Sequence, residues 1–206
     1  AGMLAFSSAS AQLRIEIRRG VDRPVPMAIV PFSWEGSVAS QPPFDVSGLV
    51  ATDLVQSGRF DPLDERDMVS RPTMPEDVDF DDWQILDVDV LVIGRMVPAG
   101  PNQYTVIFQL YDVLRGEHLL GSRLNSSGED LRVTSHRIAD MIFETLTGIP
   151  GVFSTQIAYV SQEGSGENSQ YRLIVADADG VNPQRVADSA DPIRSPSGSP
   201  DGRKLA

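Results

Sequence analysis

Cysteine is absent from the 206 residues, which rules out disulfides, thiolate zinc sites and thiol catalysis while leaving the redox compartment open. Histidine is scarce: His118 and His136 are the only two, and no HExxH pattern holds them. His118 falls beside an expected turn and His136 on an expected helix, so both are read as structural. Basic charge is also short, with 17 Lys and Arg against 29 Asp and Glu, a formal net charge of −12. A phosphate-neutralising surface is therefore excluded, and nucleic acid with it. No run approaches the roughly 20 apolar residues needed to cross a bilayer, so no direct membrane insertion is expected.

Catalytic and metal patterns are missing in the same way. Asp77, Asp79 and Asp81 imitate the start of a calcium loop, but Asp82 stands where glycine must turn and Val88 where the closing Glu belongs. Gly164-Ser165-Gly166 has no helix behind it to receive a phosphate, and no G-x-S-x-G elbow occurs. Neither catalytic residues nor a cofactor or metal are expected. The acidic runs 61–67 and 76–82 read as solvated loop charge, with a basic protein partner as the alternative.

Residues 1–11 are apolar and then small, ending Ala9-Ser10-Ala11, the end of a secretory signal whose basic start is missing; the alternative is a flexible Ala/Ser-rich terminus of a cytosolic protein. Cleavage after Ala11 is the expectation. Leu13, Ile15 and Ile17 then alternate with Arg14, Glu16 and Arg18, the period of a half-buried strand ended by Gly20. Such an arm can pair with its own sheet or add to another protein's sheet edge, because both use the same backbone hydrogen bonds.

The run 24–32 between prolines predicts a strand buried on both faces. Asp45 or Ser47 then caps a helix that Gly58 stops, with Val46, Leu49, Val50, Leu54 and Val55 on one stripe. A brief helix is expected around Trp83, a second buried strand over 88–97, a turn at 98–102, and a hairpin over 104–125 turning at Arg115-Gly116. Ser127 with Asp130 resembles a capping box, and Leu131, Ile138, Met141, Ile142 and Leu146 recur at helical spacing until Gly148 and Pro150. The expected fold is thus a two-layer α/β domain over 23–147, preceded by the arm 12–22 and followed by a linker at 148–151.

After Val152 the helical period disappears. Short strands are separated by Gly, Ser, Asn and Asp, and Asp177-Ala178-Asp179-Gly180 and Ser199-Pro200-Asp201-Gly202 are turn tetrads. Four short strands in about 40 residues suit one blade of a β-propeller. Residues 152–206 are read as that blade, opening an all-β domain that the chain leaves incomplete; a single blade cannot bury its own faces and should pack poorly alone.

The segments RIEIRRGVDRPVPMAIVPFSWEG, GLVATDLVQSGRFDPLD, HRIADMIFETLTGIPGVFSTQIAYV and SPSGSPDGRKLA together resemble the TolB family, periplasmic subunits of the Tol-Pal system of Gram-negative bacteria. The resemblance covers nearly all of residues 12–206. It implies an α/β N-terminal domain joined to a six-bladed propeller, a monomer without catalysis or cofactor, and a periplasmic adaptor for outer-membrane integrity and cell division. It also implies two partners: the C-terminal domain of TolA, bound by the arm, and the lipoprotein Pal, bound by the propeller. Carried over residue by residue, the TolA arm is Gln12, Leu13, Arg14, Ile15, Glu16, Ile17, Arg18, Arg19, Gly20, Val21 and Asp22. In the family this arm can also fold back between the two domains. The chain departs from the family at Gly198, where a tryptophan precedes SPDG, and the Pal contacts fall in propeller beyond residue 206.

Two rivals come from other classes. One is an exported enzyme whose SPDG-type propeller gates a serine hydrolase domain encoded beyond residue 206, which a G-x-S-x-G elbow there would support. The other is an outer-membrane lipoprotein cofactor with a related α/β domain, which would need a lipidation cysteine that the chain lacks.

Overall fold

The computed structural model describes residues 23–166, 169–199 and Lys204. Strand β1 (Val25–Ile29) lies inside the first sheet, between the short β3 (Phe60–Pro62) and β4 (Val90–Gly100) and parallel to both. β4 continues through two antiparallel pairings into β5 (Gln103–Asp112) and β6 (Glu117–Ser127), so the order is β3-β1-β4-β5-β6. A two-residue strand, β2 (Ser33–Trp34), pairs with β4 beyond the end of β1. Gly116, at φ 62°, closes the β5–β6 turn in the left-handed region that glycine adopts without a Cβ clash.

Burial on both faces of β1 explains its unbroken apolar run: Met27, Ala28 and Val30 are fully buried. Met27, Ile29, Val92, Val106, Phe108 and Leu110 face helices α1 (Val46–Gln56) and α3 (Leu131–Thr147). Val50 and Leu54 of α1, with Leu131, Ile138, Ile142 and Leu146 of α3, complete that layer. The opposite face, with Ala28, Val30, Leu91 and Ile93, is covered by Trp83 of the short helix α2 (Phe80–Ile85) and by Leu63, Met68 and Val78 from the preceding segment. The acidic runs ride on this covering segment with Asp64, Glu65, Asp67, Glu76 and Asp77 turned to solvent.

Two expectations are refined and one short strand is added. The 98–102 turn is shorter than its composition suggests, because β4 pairs with β5 as far as Gly100. Past Met96 the β2 side of β4 is open, so Pro98 stands on a local edge where its missing N–H is tolerated. Segment 60–62 is a strand, held by its parallel register to β1. Finally, the Ser127–Asp130 pair forms, Asp130 N donating to Ser127 Oγ at 3.2 Å and Ser127 Oγ to the Asp130 carboxylate at 2.6 Å, but Asp130 is the cap position and the helix starts at Leu131.

Beyond α3 the chain forms a separate antiparallel meander of β7 (Gln156–Glu163), β8 (Gln170–Asp177) and β9 (Gln184–Ser189). Its side chains are mostly exposed or half-buried; Ser169 and Ala176 are the buried residues found there among those described. Ser199 N donates to the Lys204 carbonyl at 2.9 Å, while residues 200–202 of the terminal tetrad lie outside the described residues.

Candidate functional site

The sequence-derived site, the arm from Gln12 to Asp22, lies outside the described residues. Arg23, immediately after it, lines an open cleft of about 580 Å³ with Pro24, Gln84, Asp87, Asp89 and Leu114. Burial, reinforced by the neighbouring Asp112, raises the Asp89 carboxyl above its ordinary range, and Arg23 opposes that rise. Asp79, the middle member of the calcium-like run, caps α2 by accepting from Asp81 N at 3.1 Å. Among the described residues no group of three His, Asp or Glu side chains is placed to hold a metal ion. His118 is exposed on β6, its ring edge-on to Tyr111.

The polar constellation that the fold does assemble sits on α3. Arg132, His136 and Asp140 recur at intervals of four, so they form one stripe along the helix. The stripe faces the meander. Arg132 donates to Asp179, and its Nε lies 3.8 Å from Asp177. Those two aspartates belong to the turn tetrad after β8, which is tied by Gly180 N to the Asp177 carbonyl at 2.7 Å and by Asn182 Nδ2 to the Asp177 carboxylate at 2.7 Å.

His136, only 3% exposed, bridges three elements. Its Nδ1 is 2.7 Å from Oδ2 of Asp53 on α1, and its Nε2 is 3.8 Å from Oδ2 of Asp179. Nε2 makes no hydrogen bond among the described residues. Burial pushes the Asp53 carboxyl above its usual range, while the hydrogen bond and charge of His136 pull the other way. Three carboxylates, Asp53, Asp177 and Asp179, thus surround one guanidinium and one imidazole.

Asp140 closes the lower end of the stripe. Its carboxylate accepts from Phe153 N at 2.8 Å and Ser154 N at 3.1 Å, which fixes the segment between α3 and β7 against α3. Gly148, at φ 72°, ends the helix by donating to the Glu144 carbonyl at 2.8 Å. Phe153 then packs edge-on against Phe143, which in turn meets Phe60 of β3. Sequence reasoning missed this site because it treated His136 alone; the signal available was the four-residue spacing of 132, 136 and 140.

An α/β domain whose last helix carries a polar stripe that meets an antiparallel β-meander defines the class: a two-part α/β protein with a propeller-type second part. Residues 13–119 match the TolB amino-terminal domain, and residues 143–206 match the TolB beta propeller domain. The chain belongs to the TolB family. It is 44% identical over 198 residues to the Tol-Pal system protein TolB of Thioalkalivibrio sulfidiphilus, covering 96% of this chain and 45% of that protein. It is 45% identical over 205 residues to its counterpart in Nitrosococcus oceani, covering 99% and 46% respectively. The crystal structure of TolB from Acinetobacter baumannii superposes with a TM-score of 0.74 at 33% identity, over 89% of this chain and 43% of that one. The chain therefore spans slightly under half the length of the relatives it matches. The β7-β8-β9 meander is the opening part of the propeller.

Proposed function

We propose that the chain is part of a non-catalytic periplasmic adaptor of the Tol-Pal system in a Gram-negative bacterium. In this reading residues 12–22 bind the C-terminal domain of TolA at the inner membrane, the propeller binds the lipoprotein Pal at the outer membrane, and the two links serve outer-membrane integrity and constriction at division. Family membership across almost the whole chain is the observation that carries the reading. The alternation of Leu13, Ile15 and Ile17 with Arg14, Glu16 and Arg18 supports the arm's share of it. A free strand with one apolar and one charged face suits addition to a partner's sheet edge, where main-chain hydrogen bonds give affinity and alternate side chains give specificity.

Deleting residues 12–22 is expected to abolish capture by immobilised TolA C-terminal domain and to leave the thermal unfolding of the α/β domain unchanged. Capture equal to that of the intact protein would show that the arm is not the TolA-binding element.

A further inference from the structure

We propose that α3 and the turn after β8 form a proton-operated latch, in which uptake of one proton by the Asp53–His136 pair closes the meander onto the α/β domain and loss of that proton releases it. The latch is independent of which partner the arm engages. Its basis is the buried geometry around one imidazole. A neutral ring carries one N–H. With Nδ1–H given to Asp53 at 2.7 Å, Nε2 is left with a bare lone pair, buried and directed at the Asp179 carboxylate 3.8 Å away. Two electron-rich groups then face each other across the junction. One added proton converts Nε2 to a donor and the repulsion to a charge-assisted attraction.

The same result follows if the proton resides on Asp53, which then donates to Nδ1 while Nε2–H faces Asp179; in either form the pair holds two protons instead of one. The charged groups facing the ring are Asp53 from α1, Arg132 from its own helix, and Asp177 and Asp179 from the turn. Arg132 neutralises one carboxylate of the three, so the site retains negative charge that a second cation would offset. Asp140, one turn along α3, is engaged by the amides of Phe153 and Ser154. Because Asp53 and His136 belong to the α/β domain and Asp179 to the meander, the proton acts between the two bodies and leaves the core of either untouched. Closing takes up a proton, so acid drives it forward; for a single proton the closing equilibrium changes by at most about tenfold per pH unit.

The absence of cysteine allows paired spin labels at Gln56→Cys on α1 and Gln184→Cys on β9, both exposed positions outside the latch. In the 206-residue chain the distance distribution between them is expected to be narrow and short at about pH 5 and to gain a longer component by about pH 8. With only two histidines, the imidazole NMR signals give the ring states directly, His118 serving as the exposed reference. Protonation at the His136 ring or its Asp53 partner should share the midpoint of the distance change. Asp179→Asn, on a turn where it cannot unfold the α/β domain, leaves an amide that can face Nε2 in either ring state, so it and His136→Gln should each remove the pH dependence of the distance. A wild-type distance that does not move with pH, a pH response retained in both variants, or a pair that takes up no proton while the distance changes would each overturn the latch.

Discussion

Gly148 and Gly151 lie three residues apart and are required for different reasons. Gly148 sits at φ 72° with nothing within 4 Å of a Cβ placed on it, so a side chain there meets backbone strain and no neighbour. At Gly151 a Cβ would stand 2.3 Å from Asp140 Oδ1 and 2.5 Å from the Asp140 Cα, an atom of the α3 backbone that cannot step aside. Alanine at 148 is expected to cost about 1–2 kcal/mol through the left-handed backbone. Alanine at 151 is expected to cost about 1–3 kcal/mol through overpacking. Asparagine separates the causes, because it tolerates left-handed backbone and is larger than alanine. In urea unfolding, Gly148→Asn should recover part of the loss seen with alanine, whereas Gly151→Asn should lose more; equal behaviour at both positions would contradict this division.

At the scale of elements, α1 decides between two cap residues that the sequence left open. Asp45 is the cap: its Oδ1 accepts from Gly48 N at 3.0 Å and from the Ser47 hydroxyl at 2.9 Å. Ser47 does a different task, its Oγ accepting from Phe32 N at 3.2 Å and so joining the loop to the helix. Asp45→Ala should therefore lower stability by about 1 kcal/mol in chemical denaturation, and Asp45→Asn by only a fraction of that. The β5–β6 hairpin and α3 were legible because each repeats a period, two or 3.6, over many residues, β1 and β4 because they are unbroken apolar runs, and the meander because turn residues punctuate it. The strand Phe60–Pro62 was not, since three residues contain no period and pairing with β1 supplies its conformation. The Arg132, His136 and Asp140 stripe was half legible: the spacing lies in the sequence, but the acceptors Asp177 and Asp179 are more than 40 residues away, and only the docked meander brings them to α3.

Across the whole molecule, burial is divided unequally. The α/β domain encloses two hydrophobic clusters, one on each face of its sheet, whereas β9 is exposed along almost its whole length and Ala176 is the one fully buried apolar side chain found in the meander among the described residues. A three-stranded sheet with so little apolar burial is stabilised mainly by what packs against it, as single repeats of a propeller are. Here that packing is the α3 stripe, made of ion pairs and of hydrogen bonds from Phe153 and Ser154. Polar contacts of this kind contribute about 0.5–3 kcal/mol each, far less than a cored domain gains. Native-state hydrogen exchange on the 206-residue chain should accordingly resolve two tiers. Amides of β4 and β5 should exchange only through global unfolding, while those of β7, β8 and β9 should open at lower free energy and as one group. Supplying the additional propeller length that the relatives carry should raise the second tier towards the first. Equal protection of both sheets in the 206-residue chain would mean that the junction with α3 holds the meander as firmly as a core would.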